Sequence, residues 1–161
     1  MEAASRSGAA TPAPGLSGSA LGLLQAALRA VEAKDLSALR GLVADEAVFI
    51  DPHYPNARMA GWTAISDGLR WAFATIEAFA FETVIGFDSP DGRHAAVEVD
   101  CRYALRGGRR QAFRQVFVAD VREGRIVRLQ AYEPYGPGGL VGWVLRLTRL
   151  GRRFRRIGPA G

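Results

Sequence analysis

The chain has 161 residues, of which 48% are apolar, 23% charged and 9% aromatic, the balance of one ordinary globular domain with a single core. Its net charge of +5 is uneven: residues 140–161 hold six Arg (146, 149, 152, 153, 155 and 156) and no acid, which leaves a body of 15 basic and 16 acidic residues. A nearly neutral body with a basic end argues against a nucleic-acid-binding core and for a compact domain with an appended contact segment. The apolar run from Leu140 stops at Arg146, well short of the roughly 20 residues that span a bilayer. The opening segment has no apolar stretch of the secretory kind, so cytoplasmic residence is the default expectation. Cys101 has no second cysteine to pair with, and two histidines, His53 and His94, form no zinc-ligand spacing. Neither a metal nor a cofactor is expected from the sequence.

In chain order, residues 1–15 are mostly Ala, Ser, Gly and Pro with little to bury, the composition of a disordered leader; 16–135 read as the folded domain and 136–161 as a basic tail. Leu21, Leu24, Leu28 and Val31 recur at helical steps, and Asp35 is placed to start a second helix holding Leu36, Leu39 and Val43. Residues 47–51 predict a short strand halted by Pro52, and His53–Gly61 a loop. Ile65, Leu69, Phe73 and Ile76 predict a third helix, with Thr63 available to cap it. From Phe79 to Glu133 the chain alternates as four strands separated by turns at 89–92, 106–109 and 123–124. The turn at 106–109, Arg-Gly-Gly-Arg, reads as a hairpin end rather than an RNA-binding repeat. Helices gathered at the front and consecutive antiparallel strands behind them imply an α+β domain, a curved sheet closed on one face by the helices.

The segments VFIDPHYPNARMAGWTAI and GRIVRLQAYEPY, together with this order of elements, resemble the nuclear transport factor two superfamily in its SnoaL-like and ketosteroid-isomerase-like branch, over about Leu21–Tyr135. The resemblance implies a cystatin-like α+β roll, a cone-shaped barrel whose mouth holds a small hydrophobic ligand. The superfamily includes isomerases, cyclases, dehydratases, epoxide hydrolases and proteins without catalysis, so the fold does not decide the function.

The resemblance makes Asp51, in its Asp-Pro position, the general base. Independently, a carboxylate ending an apolar strand sits where desolvation raises its pKa, although it can also simply hold the amides of the next turn. Ala27, and Phe117 or Gln115, fall where the isomerase pattern has its tyrosine and its protonated aspartate, which argues against steroid isomerisation. Asp100, Arg102 and Glu98 share one face of a strand and suggest an epoxide-hydrolase-like acid and arginine set, or a solvated charged face. His53 is either a ligand contact or a plain loop histidine, and Tyr54, Trp62 and Trp71 are walls or core.

If Leu129, Ala131 and Glu133 point into the cone, Phe113, Gln115, Phe117 and Ala119 line it too, and the expected pairing through the 106–109 turn brings Glu98, Asp100 and Arg102 with them. Val97, Val99, Cys101 and Tyr103 are then expected on the outer face, as a homodimer interface. A register error of one residue exchanges the two sets. The predicted site is therefore Asp51 and Asp100 as catalytic groups, with His53, Trp71, Glu98, Arg102, Gln115, Phe117 and Glu133 as substrate contacts.

In the tail, apolar residues at 143, 144, 147, 150, 154 and 157 form a helical stripe opposite Arg146, Arg149, Arg153 and Arg156. This amphipathic pattern fits an anionic membrane surface through residues 140–157, which would place the protein at the inner membrane face, or a stripe packed on the body or on a second subunit. Nucleic acid ranks third. The two functional readings are a small-molecule pocket performing general-base isomerisation, cyclisation or epoxide hydrolysis, and a non-catalytic binding or interaction domain.

Overall fold

The computed structural model describes residues 19–133; the expected leader, the tail and Leu16 lie outside the described residues. Helix α1 (Ala20–Glu32) starts where the Ser19 hydroxyl accepts the Gly22 amide at 3.0 Å and buries Leu24, Ala27 and Leu28 on one face. Asp35 starts α2 (Leu36–Leu42) as expected, its carboxylate accepting from the Ser37 and Ala38 amides. Val43 leaves the helix and opens strand β1 (Val43–Ile50).

The segment expected as a loop contains a strand, β2 (Arg58–Ala60), which pairs antiparallel with β1 through Phe49 and Met59. Three residues are too few to show a period, and two prolines upstream mask them. Gly61, at φ +79°, turns the chain out of β2 and into α3 (Gly61–Thr75), a backbone state that suits glycine and strains other residues. The helix therefore begins two residues before Thr63, and Ala60 occupies the cap position with no side-chain hydrogen bond.

The remaining strands are β3 (Ile76–Asp88), β4 (His94–Leu105), β5 (Arg110–Arg122) and β6 (Arg125–Tyr132). They form one curved sheet in the order β2-β1-β6-β5-β4-β3, with β1 and β6 parallel and all other neighbours antiparallel. The sheet is open rather than closed into a barrel, with β2 and β3 at its edges. One core, with Leu39, Val43, Ile65, Leu69 and Ile126, joins α2 and α3 to β1 and β6. A second, with Leu24, Leu28, Val97, Val99 and Phe117, joins α1 to β4 and β5. Fully buried side chains such as Leu24, Leu39 and Ile65 each contribute about 1.5–3 kcal/mol of hydrophobic stabilisation.

The register of β4 on β5 corrects the expected faces. Val97 pairs with Phe117, Val99 with Gln115 and Cys101 with Phe113, so odd residues meet odd residues. The cause is the connecting turn. The Leu105 amide bonds the Arg109 carbonyl at 2.8 Å, leaving three residues between them, with Gly107 and Gly108 both at positive φ. An odd-length loop preserves parity where an even one inverts it. Val97, Val99 and Cys101 are accordingly buried, and cannot form the apolar outer interface expected of them. Glu98, Asp100 and Arg102 lie on the opposite, outer face, where Arg114 pairs with Asp100 at 2.9 Å and with Glu98 at 3.1 Å, and Arg102 pairs with Glu82 at 2.6 Å.

Candidate active site

Asp51 follows the last residue of β1, at the point where Pro52 ends strand pairing. Its backbone amide donates to the Ala57 carbonyl at 2.9 Å, and its Oδ1 accepts the His53 amide at 2.9 Å. The carboxylate holds the amide of the following turn, as the second sequence reading of Asp51 has it, and it also forms part of a cavity wall. The turn brings the His53 ring back over its own anchor, with Nδ1 3.2 Å from Asp51 Oδ1. The ring also lies 5.1 Å from that of Phe113, centroid to centroid.

Glu133, just past β6, closes the group. Its Oε1 contacts His53 Nδ1, and its side chain is only 1% exposed. Gln115, wholly buried on β5, donates from Nε2 to the same oxygen at a long 3.5 Å, and its own Oε1 accepts from the Cys101 thiol at 3.5 Å. Glu133 Oε2 is buried without a hydrogen-bond partner among the described residues. Burial raises the pKa of Glu133, while the imidazole opposes that shift and Asp51 adds to it. The hydrogen bond to Asp51 raises that of His53 against the cost of burying its charge.

Two spaces adjoin this group. An inner cavity of about 50 Å³ is lined by apolar side chains from both cores, among them Leu28, Phe49, Phe81 and Phe117, and Asp51 supplies its one carboxylate. An outer space of about 140 Å³ is bounded by His53, Trp71, Thr75, Tyr103 and Gln111. Tyr54 belongs to both walls. Burial first, and then the nearby negative charge, push the phenols of Tyr54 and Tyr103 above their ordinary 10.0, so both stay protonated and able to donate at neutral pH. No Arg or Lys is among the described residues lining either space.

Of the residues predicted from sequence, Asp51, His53, Gln115 and Glu133 come together, Phe117 walls the inner cavity and Trp71 walls the outer one. Asp100, Glu98 and Arg102 do not join them, which removes the acid and arginine set considered for epoxide opening. Tyr103 was expected outside and faces inward, against Phe113, Phe79 and Phe81. The usable signal was the length of the 106–109 turn, which sets the parity of the whole strand.

Residues 24–129 match the SnoaL-like domain family, and the chain belongs to that family. Its fold is the nuclear transport factor two-like, ketosteroid-isomerase-like cone. A Catenulispora acidiphila protein with a ketosteroid isomerase-like fold, solved in complex with trimethylamine, is 22% identical over 68% of this chain and 83% of its own, with a TM-score of 0.60. A Sinorhizobium meliloti protein described as a candidate polyketide cyclase is 23% identical over 68% of this chain and 93% of its own, at 0.56. A Mycobacterium tuberculosis protein solved with estradiol-17β-hemisuccinate is 22% identical over 68% of this chain and 89% of its own, at 0.62. Comparison with curated proteins finds no match. Among the described residues no helix is long and apolar enough to cross a membrane.

Proposed function

We propose that this SnoaL-like domain binds a small, mostly apolar, oxygenated molecule and moves a proton on it, with Asp51 as the base. The observation that carries the reading is the placement of the Asp51 carboxylate. It is 16% exposed, anchored by the His53 amide, and is the one charged group among the described residues of an otherwise apolar cavity wall. A carbonyl substrate lying along that wall would lose a proton from its α-carbon to Asp51 while its oxygen takes a hydrogen bond from the phenol of Tyr54. Return of the same proton to a different carbon completes an isomerisation, and attack by the enolate carbon on a second carbonyl, whose oxygen then takes the proton back from Asp51, completes a cyclisation. The His53 amide and imidazole hold Asp51 in place, and Glu133 in turn holds the imidazole. The relatives solved with trimethylamine and with an estradiol ester support a small-molecule role for a cone of this kind.

The size of the inner cavity favours a second reading, ligand storage or interaction without chemistry, since about 50 Å³ holds a few waters rather than a substrate. One experiment separates the two. The protein is screened by thermal shift against ketones of terpenoid, steroid and aromatic polyketide type, and each hit is incubated in D2O with exchange of its α-protons followed by NMR. The expected result is exchange that falls by about 10²-fold or more in Asp51→Asn with binding retained. Hits that bind without exchange, or exchange equally with Asp51→Asn, would support the non-catalytic reading instead.

A further inference from the structure

We infer that Asp51, His53 and Glu133 form a binding site for one divalent first-row transition-metal ion. The donor atoms, a carboxylate oxygen from each acid and the imidazole nitrogen, all lie within 4.8 Å of one another, close enough to share a central ion after small side-chain adjustments. The three come from two places, the turn after β1 and the end of β6, which the parallel pairing of those strands brings side by side.

Two further observations point to a cation. First, Glu133 directs Oε1 to His53 and leaves Oε2 buried with no hydrogen-bond partner among the described residues, on a side chain that is 1% exposed. A buried carboxylate oxygen without a donor is costly unless something positive reaches it. Second, the charges do not balance. Two shielded carboxylates share one imidazole, and neither forms an ion pair with Lys or Arg among the described residues. A divalent ion with a neutral imidazole brings the group to zero. The mixed nitrogen and oxygen donors select zinc, cobalt or manganese over magnesium, which seldom takes imidazole. Three protein ligands leave at least one position open, and the outer face of His53, itself 36% exposed, marks the route by which an ion or a water would arrive.

The inference concerns the same carboxylate as the proton-transfer reading, and it is tested without an organic ligand so that the two outcomes are read separately. Tag-free full-length protein, stripped with chelator, is titrated with Zn2+ by calorimetry and with Co2+ by visible absorption. The expected result is one ion per chain, a higher melting temperature on addition of Zn2+, and Co2+ bands of a nitrogen and oxygen site. His53→Gln and Glu133→Gln should each weaken binding by at least about tenfold. Their metal-free melting curves and circular dichroism show whether they fold. His94→Gln, which alters the other histidine on the exposed β4 surface beside Asp120, should bind as the parent does. No saturable binding by the folded parent overturns the inference, as does binding that survives His53→Gln or disappears with His94→Gln.

Discussion

The carboxylates of Asp51 and Glu133 meet at a single atom, Nδ1 of His53, although one belongs to the first strand's exit and the other to the last's. A folded protein gains little from such an arrangement. The orphaned oxygen of Glu133 alone carries a desolvation cost on the order of 1–3 kcal/mol, and an apolar residue of similar volume would avoid it. Costs of this size concentrate at sites whose purpose is binding or chemistry.

The orientation of β4 predicts opposite outcomes for adjacent substitutions. Val99→Asp puts an unpaired charge into the core and should cost about 3–5 kcal/mol, enough to unfold the protein or nearly so. Asp100→Asn, on the outer face beside Arg114, should leave the melting temperature and any ligand response unchanged. Circular dichroism melts of the two variants decide the matter, and the reverse ranking would restore the opposite register.

Gly61 is the joint between β2 and α3. Any Cβ there meets no hard obstruction, since the nearest atom, the Asp45 carbonyl oxygen, is 3.6 Å away, but the backbone at φ +79° disfavours it. Gly61→Ala should destabilise by about 1–2 kcal/mol in urea unfolding, with an unchanged slope against denaturant. An unchanged midpoint would mean that the joint is free to relax.

Burial pushes the Cys101 thiol from an ordinary 9.0 up to about 12, and the phenols of Tyr54 and Tyr103 upward from 10.0. All three are acids with raised folded pKa values, so the unfolded chain loses these protons first. Their contribution to stability is complete below pH 9 and is lost as pH rises through the window above it. Urea midpoints should therefore decline from about pH 9 upward, with the phenols adding to the fall beyond pH 10. Iodoacetamide should label Cys101 in urea but not in the native protein at pH 8. Rapid native labelling would show that the thiol is accessible.

Much of this fold is legible in the residues because the signals are local. Leucines at helical steps mark α1, Asp35 marks the start of α2, and long alternating runs mark β3 to β6. Asp51 and Pro52 likewise mark a strand end that faces a cavity. What escaped was non-local or too short. Three residues of β2 carry no period, and the facing of Tyr103 and Asp100 depends on counting the residues of one glycine turn. The same alternation that correctly put Gln115 beside Glu133 put Glu98, Asp100 and Arg102 on the wrong side once that count was off by one. His53 and Glu133 form no motif because no local spacing connects them; their meeting is a product of the β1 and β6 pairing.

That pairing also sets an order of events. β3 to β6 follow one another as hairpins and can zip up as they emerge from a ribosome, but β1 lies parallel to β6 and has to wait for it. The first strand, with β2 on its outer edge and Asp51 at its end, stays without its long-range partner until nearly the last described residue has been made. The polar cluster is thus completed last, and a nascent chain ending at Arg122 would carry Asp51 and His53 without the Glu133 that closes the group.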